Sequence, residues 1–172
     1  KNIFVAKGRP QDNPLIVHIA EIDEILPLVK NFDERARALA EAYWPGPLTM
    51  ILPKSDIIPN EVCAGLDTVA IRMPSHPIAH EIIKKCGFPL AAPSANTSGK
   101  PSPTTAAHVM NDMDGKIAAV VDGGSCSVGV ESTVVTLACP VPRVLRPGGV
   151  TPDQLRAVLG EVEIDKAVFK AL

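Results

Sequence analysis

The sequence is poor in aromatic residues, with one Trp, one Tyr and four Phe among 172 residues. Many proteins that bind single-stranded nucleic acid stack bases on aromatic side chains, and this sequence offers few such surfaces. The sequence also lacks a large excess of either charge, because 17 Lys and Arg are balanced by 19 Asp and Glu, for a formal net charge of -2. The overall basic field that drives non-specific nucleic-acid binding is therefore absent, and any RNA contact must be local.

Paired cysteines and long apolar runs are also missing. The four cysteines are spread singly along the chain, at Cys63, Cys86, Cys126 and Cys139. Without a C-x-x-C pair they indicate free thiols rather than a zinc knuckle or a dithiol redox centre. Apolar stretches such as 49–52 and 118–121 are far shorter than the roughly 20 residues that cross a bilayer, and the first residues show no secretory pattern. The sequence predicts a soluble, cytoplasmic protein with no membrane partner.

No familiar catalytic or cofactor motif is present. Neither G-x-x-x-x-G-K-[ST] nor G-x-G-x-x-G occurs, and Gly123-Gly124 precedes no helical pattern, so the common nucleotide folds are unsupported. There is no G-x-S-x-G elbow that would indicate a hydrolase triad. His76 and His80 are four residues apart, but Pro77 predicts that a helix begins between them. The sequence therefore predicts no protein metal site.

What the sequence does contain is the composition of one ordinary globular domain, 46% hydrophobic and 21% charged. A chain of this length buries about two-thirds of its unfolded surface, so a core can form without disulfides or a structural metal. Short β-rich runs alternate irregularly with helical patterns, and several strands are close neighbours in sequence. This order favours an α/β fold (mixed α+β), a twisted, mixed or largely antiparallel open sheet flanked by helices.

The predicted elements follow from apolar periodicity and from the Pro and Gly residues at their ends. Strands are predicted at 14–20, 48–52, 68–73, 89–92, 117–121, 132–137 and 141–145. Helices are predicted at 21–29, 33–43, 77–86, 104–110 and 151–160. The segment 93–103 is too polar and too broken by Pro and Gly for a regular element, and structured loops of this kind commonly contribute to function.

A basic segment near the start, Lys7-Gly8-Arg9-Pro10, is followed by Asp12-Asn13-Pro14. It places two cations on one side of an extended segment whose prolines fix its path. Cations held in this way are suited to clamp an anion. A solvated basic turn explains the same residues, and the sequence leaves both interpretations open.

A run of small residues, A-A-P-S-A-N-T-S-G, occupies 91–99. Small side chains let a ligand approach the backbone, and Ser94 and Asn96 offer hydrogen bonds. A structural turn is an equally good interpretation of this run.

Two arginines stand in otherwise apolar surroundings: Arg72 at the end of a predicted strand, and Arg146 in Leu145-Arg146-Pro147. A cation in such a setting needs an anionic partner, which an ordinary ion pair or a ligand can provide. His18 lies inside an apolar strand, which by itself predicts a core histidine. Together the cations and small hydroxyl residues indicate a pocket for a polyanion.

A series of motifs, in order along nearly the whole chain, resembles the YrdC-like threonylcarbamoyl-AMP synthases, which act in forming threonylcarbamoyladenosine in tRNA. The motifs are K-G-R-P at 7–10, N-P-L-I-V-H at 13–18, W-P-G-P-L-T at 44–49, V-A-I-R-M-P at 69–74, A-P-S-A-N-T-S-G at 92–99, E-S-T-V-V at 131–135 and L-R-P-G at 145–148. The resemblance implies the YrdC-like fold and a nucleotidyltransferase that forms L-threonylcarbamoyladenylate and pyrophosphate from L-threonine, bicarbonate and ATP. It also implies Mg²⁺ bound mainly through the phosphates, with no protein-bound metal, and a downstream tRNA threonylcarbamoyl transferase complex as partner.

The resemblance also assigns residues. The ATP-binding set would be Arg9, Asn13, Thr68, Ser94, Asn96, Ser102 and Arg146. Lys7 and Arg9 would be the catalytic cations that stabilise charge building at the α-phosphate. The L-threonine set would be His18, Arg72, Ala92 and Ser132. In this set, Arg72 would bind the carboxylate of the substrate.

The chain departs from the family at its start, where members have a P-T-E-T-x-Y-G-L type motif before the position of Lys1. We therefore expect residues 1–160 to form a YrdC-like catalytic domain without its first elements. We expect 161–172 to be a tail that begins a linker to a second domain. Two other functions stay open: a carbamoyl-adenylate-forming domain of the hydrogenase-maturation type, which would not depend on threonine, and a non-catalytic module that binds double-stranded RNA.

Overall fold

The computed structural model describes residues 2–170. Its helices are α1 Asn2–Lys7, α2 Glu34–Tyr43, α3 Asn60–Cys63, α4 Pro77–Cys86, α5 Ala106–Met113, α6 Pro152–Leu159 and α7 Lys166–Lys170, with a 3-10 helix at Ile22–Leu28. Its strands are β1 Ile16–His18, β2 Leu48–Pro53, β3 Thr68–Arg72, β4 Leu90–Ala92, β5 Thr133–Thr136, β6 Arg143–Arg146 and β7 Glu163–Ile164.

The strands form one seven-stranded sheet in the order β4-β1-β3-β2-β5-β6-β7. Three neighbouring pairs are parallel, β1 with β3, β2 with β5 and β6 with β7. The other three pairs are antiparallel, β1 with β4, β2 with β3 and β5 with β6. The prediction of a mixed open sheet flanked by helices is confirmed.

One face of the sheet forms the hydrophobic core. Val17, Ile71, Met50, Val135 and Val144 occupy neighbouring positions on five strands, and all are buried. They belong to one cluster with Leu39 of α2 and Leu155 of α6. Burying each such side chain contributes about 1.5–3 kcal/mol to folding, which explains why α2 and α6 pack on this face.

The opposite face of the sheet presents a polar row. Because strand side chains alternate between faces, the neighbours of the core residues point the other way. Strand pairing aligns His18 with Arg72, Arg72 with Thr49, and Thr49 with Val134. Arg146 on β6 completes this row opposite Val134.

A β-bulge at Leu145 explains how Arg146 reaches the polar face. Val144 pairs with Val135 and Arg146 pairs with Val134, so Leu145 is the extra residue between them. In regular alternation Arg146 would share the core face of Val144, two residues earlier. One inserted residue reverses that assignment.

The ends of the longer helices agree with the sequence prediction. The Asp33 side chain accepts a hydrogen bond from the Ala36 amide at the start of α2. Pro77 is at the start of α4, and Gly87 closes it with a left-handed φ of 71°. Thr151 and Gln154 form a capping box at α6. These are the usual helix-terminating interactions.

Two predicted elements differ in the structure. The predicted strand at 117–121 does not form, and Ile117 and Val121 are 42% and 64% exposed. β-propensity stabilises a strand only through cross-strand neighbours, which this segment does not have among residues 2–170. The predicted helix at 21–29 is a 3-10 helix that contains Pro27, whose missing N–H cannot support an α-helical hydrogen bond.

The chain after Gly160 continues the sheet. β7 pairs in parallel with β6, and α7 follows it directly. Arg143 of β6 makes an ion pair of 2.9 Å with Glu163 of β7. Across residues 2–170, every helix is too short or too polar to cross a membrane.

Candidate functional site

Arg72 is the central cation of the polar sheet face. Its Nε donates a hydrogen bond of 3.1 Å to the backbone oxygen of Gly46, and this is the guanidinium's one hydrogen bond within residues 2–170. No carboxylate within this range lies within ion-pair distance of it. The two terminal nitrogens therefore remain available to an anion, in the fork arrangement that matches a carboxylate.

His18 lies beside Arg72 on β1, on the polar face and not in the core. The simple expectation of a core histidine is therefore wrong. Burial, and then the positive charge of Arg72, lower the pKa of His18 below its ordinary value, so the imidazole is neutral at neutral pH. Its buried Nδ1 has no hydrogen-bond partner in the described part of the chain. A buried polar atom left in this way is suited to receive a ligand group.

Ser132 links two strands of the polar face. Its hydroxyl oxygen lies 2.8 Å from Oγ1 of Thr49, and both side chains are buried. Arg146 donates to it as well, with NH2 at 3.0 Å from Oγ and at 2.8 Å from the backbone oxygen. Ser132 is thereby held between Thr49 and Arg146 beside the row that contains Arg72.

Lys7 differs from the sequence expectation. It is the last residue of α1, only 4% exposed, and does not lie on an extended segment. Its ammonium donates to the backbone oxygen of Ser94 and, at 2.5 Å, to that of Asn96. Burial, and then the charge of Arg9, lower the pKa of Lys7 from its ordinary value. The lysine is a fixed cation beneath the loop, because the helix end turns it inward.

Arg9 and Asn13 come together as one compact turn. Arg9 donates through NH2 to the oxygen of Pro14 at 2.8 Å and through Nε to that of Asn13 at 3.3 Å. Gly8 permits the turn between Lys7 and Arg9 with a φ of 59°. The side chain is thus oriented by its own loop, with nitrogen donors left over for an anion.

The polar loop 93–103 is held by side chains on both sides. Asn96 is 6% exposed, and its Nδ2 donates to the oxygens of Thr97 and Lys100 at 2.9 and 2.7 Å. Asp112 of α5 accepts from the Thr97 amide at 2.9 Å and from the Lys100 ammonium at 2.6 Å. The segment is therefore an ordered loop that presents Ser94 to solvent.

Ser102 and Arg146 meet at a carboxylate. Oε1 of Glu131 accepts from the Ser102 hydroxyl at 2.5 Å, and Oε2 pairs with NH1 of Arg146 at 2.6 Å. Neither Glu131 nor Asp112 was among the residues that the sequence pointed to. Glu131 stands within a recognised motif, next to Ser132, but the pairing with Ser102 spans 29 residues and leaves no periodic signal.

Thr68 and Ala92 lie on the polar face without joining these contacts. Thr68 is four residues before Arg72 on β3, so the two side chains share a face. Ala92 pairs with Ile16, two residues before His18, at the β4 side of the sheet. Within residues 2–170 no side-chain hydrogen bond joins either residue to another predicted site residue.

The geometry as a whole suits a ligand with several negative charges. Arg72 and Arg146 lie on one sheet face, close enough for Arg146 to lower the pKa of Arg72 in addition to the larger effect of burial. Lys7 and Arg9 interact in the same way beside the polar loop. Fixed cations with unused donors stabilise both bound anions and charge that develops during a reaction.

Comparison with known proteins gives a consistent family. The family model Sua5_yciO_yrdC, described as telomere recombination, matches residues 1–148. A threonylcarbamoyl-AMP synthase of Bacillus subtilis is 55% identical over 169 residues, which cover 98% of this chain and 49% of that protein. A protein of the same name from Pyrococcus abyssi is 53% identical over 169 residues, covering 98% of this chain and 50% of that protein.

A solved structure agrees with these sequence relatives. The crystal structure of P. abyssi Sua5 complexed with L-threonine superposes with a TM-score of 0.95 at 53% identity, covering 97% of this chain and 49% of that one. The chain spans about half the length of these two curated relatives. The similarity therefore concerns one domain-sized part of those proteins.

Proposed function

Because the chain belongs to the Sua5/YciO/YrdC family, we propose that it forms the catalytic domain of a threonylcarbamoyl-AMP synthase. The reaction joins L-threonine, bicarbonate and ATP into L-threonylcarbamoyladenylate and releases pyrophosphate. The observation that supports it most directly is Arg72, a cation on the polar face whose terminal nitrogens are open to a carboxylate. The relatives' names and the threonine complex of P. abyssi Sua5 support the same substrate.

The threonine side of the site would be the polar row itself. Arg72 would bind the carboxylate of L-threonine through its two free terminal nitrogens. The neutral imidazole of His18 and the hydroxyl of Ser132 flank it and can hydrogen-bond the amino and hydroxyl groups. Ala92 would leave room for the ligand at the edge of the same face.

The ATP side would be built from the polar loop and the surrounding cations. Arg146 and Arg9 would bind phosphate oxygens, for which the arginine fork is well suited. The remaining members of the set would hydrogen-bond the nucleotide; they are Asn13, Thr68, Ser94, Asn96 and Ser102. Loop 93–103 supports this assignment, since it is already ordered by Lys7 and Asp112.

The chemistry requires no covalent intermediate on the protein. Threonine nitrogen and bicarbonate form a carbamate with loss of water, and a carbamate oxygen then attacks the α-phosphorus of ATP. The new P–O bond forms as the bond to the leaving pyrophosphate breaks. Lys7 and Arg9 supply fixed positive charge near the polar loop for the negative charge that builds in this step. Holding the two anionic reactants together supplies much of the remaining acceleration.

A Mg²⁺ ion accompanying ATP would rely on the substrate for its ligands. Residues 2–170 contain no group of three His, Cys, Asp or Glu side chains arranged to hold a metal. Mg²⁺ commonly takes phosphate oxygens and water with one or two protein ligands at most. When bound, the ion would help to neutralise the charge of the pyrophosphate leaving group.

The product would need an acceptor outside this chain. We propose that a tRNA threonylcarbamoyl transferase complex receives the threonylcarbamoyl group in the cytoplasm. A direct RNA contact would be local, since the net charge is -2 and the aromatic content is 3%.

The proposal is tested by pyrophosphate release from ATP, with calorimetry of ATP binding on the same sample. Release is expected only when L-threonine and bicarbonate are both present, with D-threonine as the matched control. Release that needs carbamoyl phosphate and ignores threonine would indicate the hydrogenase-maturation type of chemistry instead. Salt-sensitive binding of duplex RNA without any pyrophosphate release would indicate a non-catalytic RNA-binding module.

A further inference from the structure

Glu131 is a carboxylate that contacts two parts of the proposed ATP site at once. One oxygen accepts from the Ser102 hydroxyl at 2.5 Å, and the other pairs with NH1 of Arg146 at 2.6 Å. Ser102 lies at the end of the polar loop, and Arg146 lies on the sheet. The carboxylate is therefore a direct link between the loop and the sheet.

The backbone of Glu131 is itself held firmly in place. Its carbonyl oxygen accepts a hydrogen bond of 3.1 Å from the Gly149 amide. At Gly148 the turn lies so close to the Glu131 oxygen that no Cβ would fit there without displacing backbone. A carboxylate on such a rigid segment can define the positions of the groups that it holds.

Arg146 does not depend on Glu131 for its orientation. Its Nε and NH2 both donate to the backbone oxygen of Ser132, at 3.1 and 2.8 Å, and NH2 also reaches the Ser132 hydroxyl. Three bonds remain if the carboxylate is removed. What Glu131 adds is the connection to Ser102.

Ser102 depends on Glu131 much more strongly. The earlier part of the loop is held by Lys7 at Ser94 and Asn96, and by Asp112 at Thr97. Within residues 2–170, the hydroxyl of Ser102 makes one hydrogen bond, and its acceptor is Glu131. Loss of the carboxylate would release Ser102 while leaving the beginning of the loop in place, and the chain would next be held at Thr104, whose oxygen accepts from the Cys126 amide at 2.9 Å.

We propose that Glu131 is a positioning residue that ties Ser102 to Arg146 and so presets the spacing of the two sides of the nucleotide site. The ordering of the loop end then takes place on folding and is not repeated each time ATP binds. This inference rests on the proposed function, because it assumes that Ser102 and Arg146 bind ATP. Threonine binding should be affected less than ATP binding, because it depends chiefly on Arg72, which lies outside the tie.

A double-mutant cycle tests the proposal, using calorimetric ATP binding to the chain and its variants. Glu131→Ala is expected to raise the Kd for ATP about fivefold to tenfold, the size of one typical intramolecular hydrogen bond. Ser102→Ala should weaken binding too, and the double variant should bind no worse than Glu131→Ala alone. The Kd for L-threonine should change much less than the Kd for ATP, because Arg72 lies outside the tie and Ser132 keeps its hydrogen bonds from Arg146. Asp153→Ala is the matched control, since it removes an exposed carboxylate paired with Arg156 at 2.8 Å.

The variant Glu131→Gln removes the negative charge at this position but keeps an oxygen that can accept a hydrogen bond. The amide oxygen can still accept from Ser102, so this variant should retain more ATP affinity than Glu131→Ala. In hydrogen exchange without ATP, Glu131→Ala should accelerate exchange at the amides of Lys100 and Ser102, the residues on either side of Pro101, whereas Asp153→Ala should not.

If the wild-type chain binds ATP, three results would each overturn the inference. They are additive losses of ATP affinity in the double-mutant cycle, equal losses for Glu131→Gln and Glu131→Ala, or an unchanged Kd for ATP in Glu131→Ala. Failure of the wild-type chain to bind ATP would instead remove the proposed function, and this inference with it.

Discussion

The ammonium of Lys7 lies 2.5 Å from the backbone oxygen of Asn96, which is 89 positions away in the chain. The contact joins the end of the first helix to the polar loop and buries the cation without a carboxylate in ion-pair distance within residues 2–170. A buried ammonium is stable only when its hydrogen bonds are satisfied, and here backbone carbonyls satisfy them. The same group thus holds the loop and supplies positive charge beside the proposed nucleotide site.

Replacing Lys7 with methionine should therefore lower stability as well as ATP affinity. The carbonyl oxygens of Ser94 and Asn96, the second of them buried, would lose their donor. We expect a loss of about 1–3 kcal/mol in the free energy of unfolding, measured by urea denaturation. Lys85→Met, at an exposed lysine of α4, should change it by less than about 0.5 kcal/mol. Equal stabilities for the two variants would contradict the structural role of Lys7.

Arg72→Ala should weaken threonine binding more than ATP binding. The free terminal nitrogens of Arg72 are the proposed partners of the threonine carboxylate. Losing a charge-assisted bidentate pair should raise the Kd for L-threonine about tenfold to a hundredfold. Arg72→Lys should recover only part of this loss, because an ammonium cannot form the two parallel bonds. Calorimetric titration with each ligand measures both effects, and equal losses for ATP and threonine would contradict the assignment.

Arg9→Ala should show the opposite selectivity. Arg9 is fixed by its own turn, through Pro14, and its remaining donors are proposed to bind phosphate. We expect a Kd for ATP about tenfold higher, with threonine affinity little changed. The wild-type advantage should shrink as salt is raised, since partly exposed charges are screened. Arg37→Ala, at an exposed cation of α2, is the control; an unchanged ATP affinity in Arg9→Ala would argue against the clamp.

The stability of the protein should depend on pH through His18. Its pKa is lowered in the folded state by burial and by Arg72, whereas the unfolded value is about 6.5. Protonation therefore favours the unfolded chain. The stabilising contribution of His18 to the free energy of unfolding is fully present above about pH 6.5. It declines as the pH falls towards the lowered pKa of the folded state.

His18→Gln should flatten this part of the profile. Urea denaturation between about pH 7.5 and 5 should give wild type a steeper fall in stability than the variant. Replacement of the exposed His108 by Gln provides the control and should leave the slope as in wild type. Parallel profiles for wild type and His18→Gln would show that protonation of the His18 imidazole does not lower the free energy of unfolding.

Asp112→Asn should loosen the polar loop. The carboxylate accepts from Lys100 and from the Thr97 amide, and these two hydrogen bonds lower its pKa. The variant should show faster amide exchange at 97–100 and a higher Kd for ATP. Asp114→Asn, at an exposed carboxylate next to the same helix end, should show neither change.

The order of elements was readable from the sequence because it depends on local signals. Pro77 and Gly87 bound α4, and Asp33 caps α2, as the helix-terminus rules predict. The alternation of Val69, Ile71 and their neighbours likewise indicated β3. The strand at 117–121 was wrong for the same reason, since composition reports β-propensity and not the presence of a pairing neighbour.

The candidate site could be predicted only in part. Motif resemblance pointed to Arg72, Arg146 and Ser132, which the structure brings onto one sheet face. It did not indicate that Lys7 is buried, nor that Asp112 and Glu131 hold the polar loop. Those contacts join residues far apart in the chain, and a single sequence does not encode such pairings in any local period.

The bulge at Leu145 has a consequence for how the site is encoded. If β6 paired without the bulge, with Leu145 opposite Val134, every polar and charged residue of the site would be unaltered in type, yet Arg146 would turn from the polar face to the core face of Val144. A chain with the full complement of functional residues would thus lose one of its cations from the site through a one-residue shift in register. Spacing is as much a part of this protein's chemistry as identity, because the register of β6 decides which face receives Arg146.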